Sequence, residues 1–91
     1  MQSMPIKQAE TLLKRQLKTG QAQRLTLLTQ KKDRALTLET QAAAVTVIEA
    51  GFVQATRTYD RSAAGTRRAV RVAFQREFPR SHRVYVKVMK Y

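Results

Sequence analysis

Arg67, Arg68, Arg71 and Gln75 recur at helical spacing. On an α-helix they fall within one arc of about 100°. Three guanidiniums and an amide on one arc can bind phosphates and reach base edges. Arg to guanine and Gln to adenine are the pairings that groove geometry allows. A helix with such residues on its exposed arc is the element with which many repressors enter the major groove. Thr66 stands at the start of the same stretch, where its hydroxyl would touch a phosphate. A merely solvated helix face has the same composition, so the neighbours decide. Arg57, Arg61, Arg76, Arg80 and Arg83 lie close in sequence without matching acids. That excess favours a surface built to meet a polyanion. Lys31 and Lys32 are a second candidate contact, able to reach a phosphate from the tip of a turn.

Other chemistry has thinner support. His82 is the only histidine. A metal site needs several ligands, and there is no cysteine to help. Neither a metal nor a cofactor is expected. No paired carboxylates, serine triad or phosphate-cradling glycine loop is present, so the chain is not read as an enzyme. The catalytic alternative is a small ribonuclease toxin with His82, Arg80 and Tyr85 in acid–base roles. A second alternative is RNA or ribosome binding. Tyr85, Lys87, Met89 and Tyr91 alternate beside Arg83 and would form a platform for unpaired bases. A sheet face packed under a helix or a second subunit would look the same. A third is a protein that uses its charge only to engage an acidic partner.

The charge is unevenly placed. Eighteen Lys and Arg stand against six Asp and Glu in 91 residues, a net of +12. Residues 1–34 carry +6, residues 35–56 carry −2 with no Lys or Arg, and residues 57–91 carry +8. A nearly uncharged middle between cationic ends reads as a buried element flanked by surfaces that attract phosphate backbones. At this length the chain is one domain, 1–91, with a modest core that dimerisation would enlarge. The lack of cysteine fits a reducing compartment, and no apolar run is long enough to cross a bilayer. The expected setting is cytoplasmic, with DNA as first partner, RNA second and no membrane.

Five elements must position these residues. Ile6, Ala9, Leu13 and Leu17, widened by Leu12, predict a helix near residues 4–18, capped by Ser3 and stopped at Gly20. Leu25 and Leu27, then Leu36 and Leu38, alternate with polar neighbours and predict a hairpin about Lys31 and Lys32. A helix over residues 21–33 is the rival. Residues 41–56 mix a helix-favouring Ala42–Ala44 with a strand-favouring Val45–Ile48. Their length and few turn signals predict a central core helix. Asp60 or Ser62 caps a further helix that runs to Phe78 before Pro79, with Ala63, Val70, Ala73 and Phe74 inward. His82 to Tyr91 alternates as a strand, with Val84, Val86 and Val88 on its buried face.

The fold expected is therefore α+β: an N-terminal helix, a β-hairpin, two central helices and a C-terminal strand that pairs with the hairpin. A helix-turn-helix would start its recognition helix at Thr66–Val70. However, no glycine stands in a tight turn some nine residues before Val70, and Gly65 comes too late. A ribbon-helix-helix would begin with Arg34–Thr40, a strand whose faces offer few base-reading side chains. The function expected is sequence-specific DNA binding by a small repressor-like regulator, possible as a homodimer, with the arginine-rich helix in the major groove.

Overall fold

The computed structural model describes residues 2–19, 22–31, 34–51, 54–79 and 81–90. Eight elements follow one another: β1 (Gln2–Pro5), α1 (Ile6–Thr19), β2 (Gln23–Leu28), β3 (Ala35–Thr40), β4 (Ala44–Ala50), β5 (Gln54–Asp60), α2 (Thr66–Glu77) and β6 (Arg83–Lys90). The six strands form one sheet in the order β1-β6-β2-β3-β4-β5, and each neighbouring pair is antiparallel. The α+β class holds.

The register places the core on one face. Val86 lies opposite Leu27, Leu27 opposite Leu36, Leu25 opposite Leu38, and Leu38 opposite Val47. Strand alternation then puts Val84, Leu25, Leu27, Leu36, Leu38, Val45 and Val47 on a single buried surface. Ala9 and Leu13 of α1 and Val70, Ala73 and Phe74 of α2 are buried in the same cluster. Both helices therefore cover this face, and the other carries Thr26, Thr37, Thr46, Thr56 and Thr58. Val88 shares the covered face of β6 yet stays 44% exposed.

Three expectations are corrected here. The described residues of 41–56 hold no helix. Ala42 and Ala43 form the turn between β3 and β4, closed by the Gln41 N–H donating to the Ala44 carbonyl at 2.9 Å. Val45 and Val47 then face the core while Thr46 and Ile48 face away, so β-branching and sheet pairing outweigh the alanine run. Gly51 follows β4 because the chain passes close to α2: a Cβ there would sit 2.7 Å from Glu77 Oε1 and 2.8 Å from Arg34 Cα. The first of the two expected central helices is thus the antiparallel pair β4–β5, and the second is α2.

Ser3 does not cap α1. It belongs to β1, opposite Tyr85, and α1 starts where the Ile6 N–H donates to the His82 carbonyl. Pro5 is tolerated because β1 is an edge strand. Neither Asp60 nor Ser62 caps α2. The Asp60 carboxylate instead accepts from the Ser62 N–H at 2.9 Å and hydroxyl at 2.8 Å, a local turn, and Gly65 precedes the first helical residue. Because β3 is an interior strand followed by further strands, no ribbon-helix-helix is built, and because α2 follows strand β5 and not a helix, it does not start the recognition helix of a helix-turn-helix. The hairpin β2–β3 and the pairing of β6 with β2 form as the sequence indicates. The expected stop at Gly20 lies outside the described residues.

Candidate nucleic-acid interface

The outward arc of α2 assembles from its own periodicity. Thr66, Val70, Ala73, Phe74 and Glu77 are buried, which turns Arg67, Arg68, Arg71 and Gln75 to solvent. Among the described residues no carboxylate pairs with these three arginines. The exposed stripe is therefore cationic.

On one flank of the arc lies α1. Arg67 and Arg71 face Lys14 and Lys18 across a groove of about 240 Å³ with Leu13, Leu17, Val70 and Phe74 as its floor. Lys14 is 3.3 Å from Glu10 on the same helix, an exposed pair. Exposed Lys7 and Arg15 extend the positive surface along α1. Sequence reading missed Lys14 and Lys18 as site residues. Their helical face was visible, but only the docking of α1 beside α2 brings them to Arg67 and Arg71.

On the other flank, Arg57 and Arg68 line a depression with Arg76 and Glu49. Arg57 is exposed on the edge strand β5. Arg76 differs from its neighbours. Its Nε donates to Glu49 Oε2 at 3.1 Å and its Nη2 to Oε1 at 2.6 Å. That bidentate bond holds the guanidinium above its ordinary pKa. Arg76 thus has a matching acid, contrary to the sequence expectation.

Two candidates have structural partners. Arg61 Nη2 donates to the Leu17 carbonyl at 2.9 Å and the Gln16 carbonyl at 3.5 Å, while Nη1 reaches the Gln41 carbonyl at 3.1 Å. Its fork satisfies free carbonyls in the last turn of α1, where a cation also suits the helix dipole. Thr66 is buried, and its hydroxyl donates to the Asp60 carbonyl at 2.7 Å. It has no phosphate-facing hydroxyl, because the turn entering α2 consumes that donor.

At the C-terminal end of α2, Gln75 shares an open basin of about 830 Å³ with Lys31, Arg34, Arg76, His82, Arg83 and the carboxylate of Glu77. Lys31 and Arg83, distant in sequence, both line this basin, although Arg83 alternates with Tyr85 along β6 and its guanidinium is turned to Ser3. Arg83 Nε also donates to the Ser3 hydroxyl at 3.1 Å. Lys32, Arg80 and Tyr91 lie outside the described residues. Tyr85, Lys87 and Met89 alternate onto the uncovered sheet face, and the basin that His82 lines does not include Tyr85. Among the described residues no group of three or more His, Cys, Asp or Glu could hold a metal ion. None of their helices is long and apolar enough to cross a membrane.

The site thus brings together Arg67, Arg68, Arg71 and Gln75 at the centre, Arg57 on one side, and Lys31 with Arg83 at one end. Comparison of the chain with protein families, curated proteins and solved structures finds no match.

Proposed function

We propose that the chain binds duplex DNA through the outer face of its two-helix layer, acting as a small sequence-reading regulator. The observation that carries this reading is the arc of Arg67, Arg68, Arg71 and Gln75, exposed and, among the described residues, unpaired with any carboxylate, with Lys14 and Lys18 alongside. The twelve residues of α2 span about 18 Å, a length that a major groove admits. In this reading α1 lies over the adjoining phosphates while α2 faces the groove. In this arrangement Lys7, Lys14, Arg15 and Lys18 position the protein on the backbone. Arg67, Arg71 and Gln75 read base edges. The end basin, with Lys31 and Arg83, adds contacts along the same strand.

Selection from a pool of random duplexes, run beside a single-stranded RNA pool, tests this. Enrichment of a duplex motif is the expected result. Enrichment confined to the RNA pool would replace DNA with RNA as the partner, and no retention in either pool near physiological salt would end the nucleic-acid reading.

A further inference from the structure

We propose that the groove between α1 and α2 is a binding site for a small amphipathic anion: a carboxylate head on a short hydrocarbon body. The assignment goes beyond DNA binding and does not depend on it, although Arg67 and Arg71 belong to both surfaces.

The groove has two chemistries that a phosphate backbone would not use together. Its floor is apolar, made by Leu13, Val70 and Phe74, which are buried, and by half-buried Leu17. Its rim is cationic from both sides, with Lys18 on α1 facing Arg67 and Arg71 on α2. The single carboxylate at the rim, Glu10, is engaged by Lys14. Among the described residues, that leaves the other three cations without an internal counter-ion. A ligand with one negative end and an apolar body satisfies rim and floor at once. Ligand sites combine these same features, a mostly apolar lining with a few placed polar groups.

The walls are held in place before any ligand arrives. Gln16, buried beneath α1, donates from Nε2 to the Leu38 carbonyl at 2.9 Å, and its Oε1 accepts from Gln23 Nε2 at 2.7 Å. Arg61 grips the Leu17 carbonyl from the loop before α2. The last turns of α1 are thus tied to the sheet and to the approach of α2. The volume of about 240 Å³ falls between the ~150 Å³ cavity that accepts benzene and the ~300 Å³ lower bound of drug-sized sites. It suits a body of about eight carbons on the same scale.

Sodium octanoate, below its micelle concentration, is the probe, with sodium acetate lacking the body and 1-octanol lacking the charge. Amide correlation spectra of the full chain report binding. Saturable shifts on residues 10–18 and 67–74, with octanoate at least tenfold tighter than either control, are the expected result. Lys18→Gln with Arg67→Gln, both exposed and so compatible with folding, should weaken octanoate at least tenfold with the spectrum otherwise unchanged. Acetate binding as tightly as octanoate would reduce the groove to a patch for any anion and overturn the proposal. Equal binding of 1-octanol, shifts centred elsewhere, or an unchanged affinity in the double variant would also overturn it.

Discussion

Arg76 of α2 and Glu49 of β4 form a two-point ion pair, 3.1 Å at Nε and 2.6 Å at Nη2, that pins the helix to the sheet. Glu49 is 3% exposed and Arg76 is 31% exposed. One guanidinium of the arginine-rich helix is therefore structural, while Arg67, Arg68 and Arg71 remain outward. Removing Arg76 leaves a buried carboxylate uncompensated, a change that costs about 3–5 kcal/mol for a fully buried pair. With one partner partly in water, Arg76→Ala should destabilise the fold by less than that. Glu49→Gln, which leaves the charge on the wetter partner, should cost less. Urea denaturation checks both, and equal stability of the two variants with the parent would remove the pair's structural role.

Arg61→Ala should loosen the end of α1. The fork serves the carbonyls of Gln16, Leu17 and Gln41, and hydrogen bonds from a charged donor contribute about 1.5–3 kcal/mol. Amide exchange should speed up in the last turn of α1 before it does in β3. Unchanged exchange there would mean that the Gln16 network alone holds the helix.

Gly51→Ala should destabilise the protein by about 1–3 kcal/mol, the usual cost of overpacking. The added methyl meets the Glu77 carboxylate and the Arg34 backbone, both under 3 Å away. Thermal unfolding reads the change. A Tm equal to that of the parent would show that this approach relaxes freely.

The turn entering α2 should weaken in acid. Hydrogen bonds from the Ser62 hydroxyl and N–H hold the exposed Asp60 carboxyl below its ordinary value of 3.8. A lowered folded-state pKa gives stability that is present above 3.8 and lost as pH falls through the lower value. Protection of the Ser62 amide should fall in that acid window. Asp60→Ala should abolish the dependence, and a variant with the parent's acid profile would place its source elsewhere.

What the sequence made legible follows from where the deciding interactions lie. The arc of α2 was readable because helical period alone turns Arg67, Arg71 and Gln75 away from Val70 and Phe74. The β2–β3–β6 sheet was readable because Leu25, Leu36 and Val84 alternate with polar neighbours. The β4–β5 hairpin was not. Its alanines sit in a turn, and its edge strand Gln54–Asp60 carries almost no apolar signal. Strand β1 is too short to show any period and exists by pairing with β6. The Glu49–Arg76 pair spans 27 residues, and the contact of Thr66 with Asp60 depends on the turn between them. Lys14 and Lys18 join the site only once both helices dock on one sheet face.

The most direct test of the central claim is the salt dependence of duplex binding by Arg67→Gln, Arg68→Gln and Arg71→Gln, each measured singly against the parent. A lost phosphate contact should lower the salt slope by about one unit, and a lost base contact should cost about 1–3 kcal/mol and relax sequence preference. Each variant is expected to show one of these two signatures while keeping the parent's stability. Three variants that bind duplex DNA with the parent's affinity and salt slope would contradict the assignment of α2 as the DNA-facing helix.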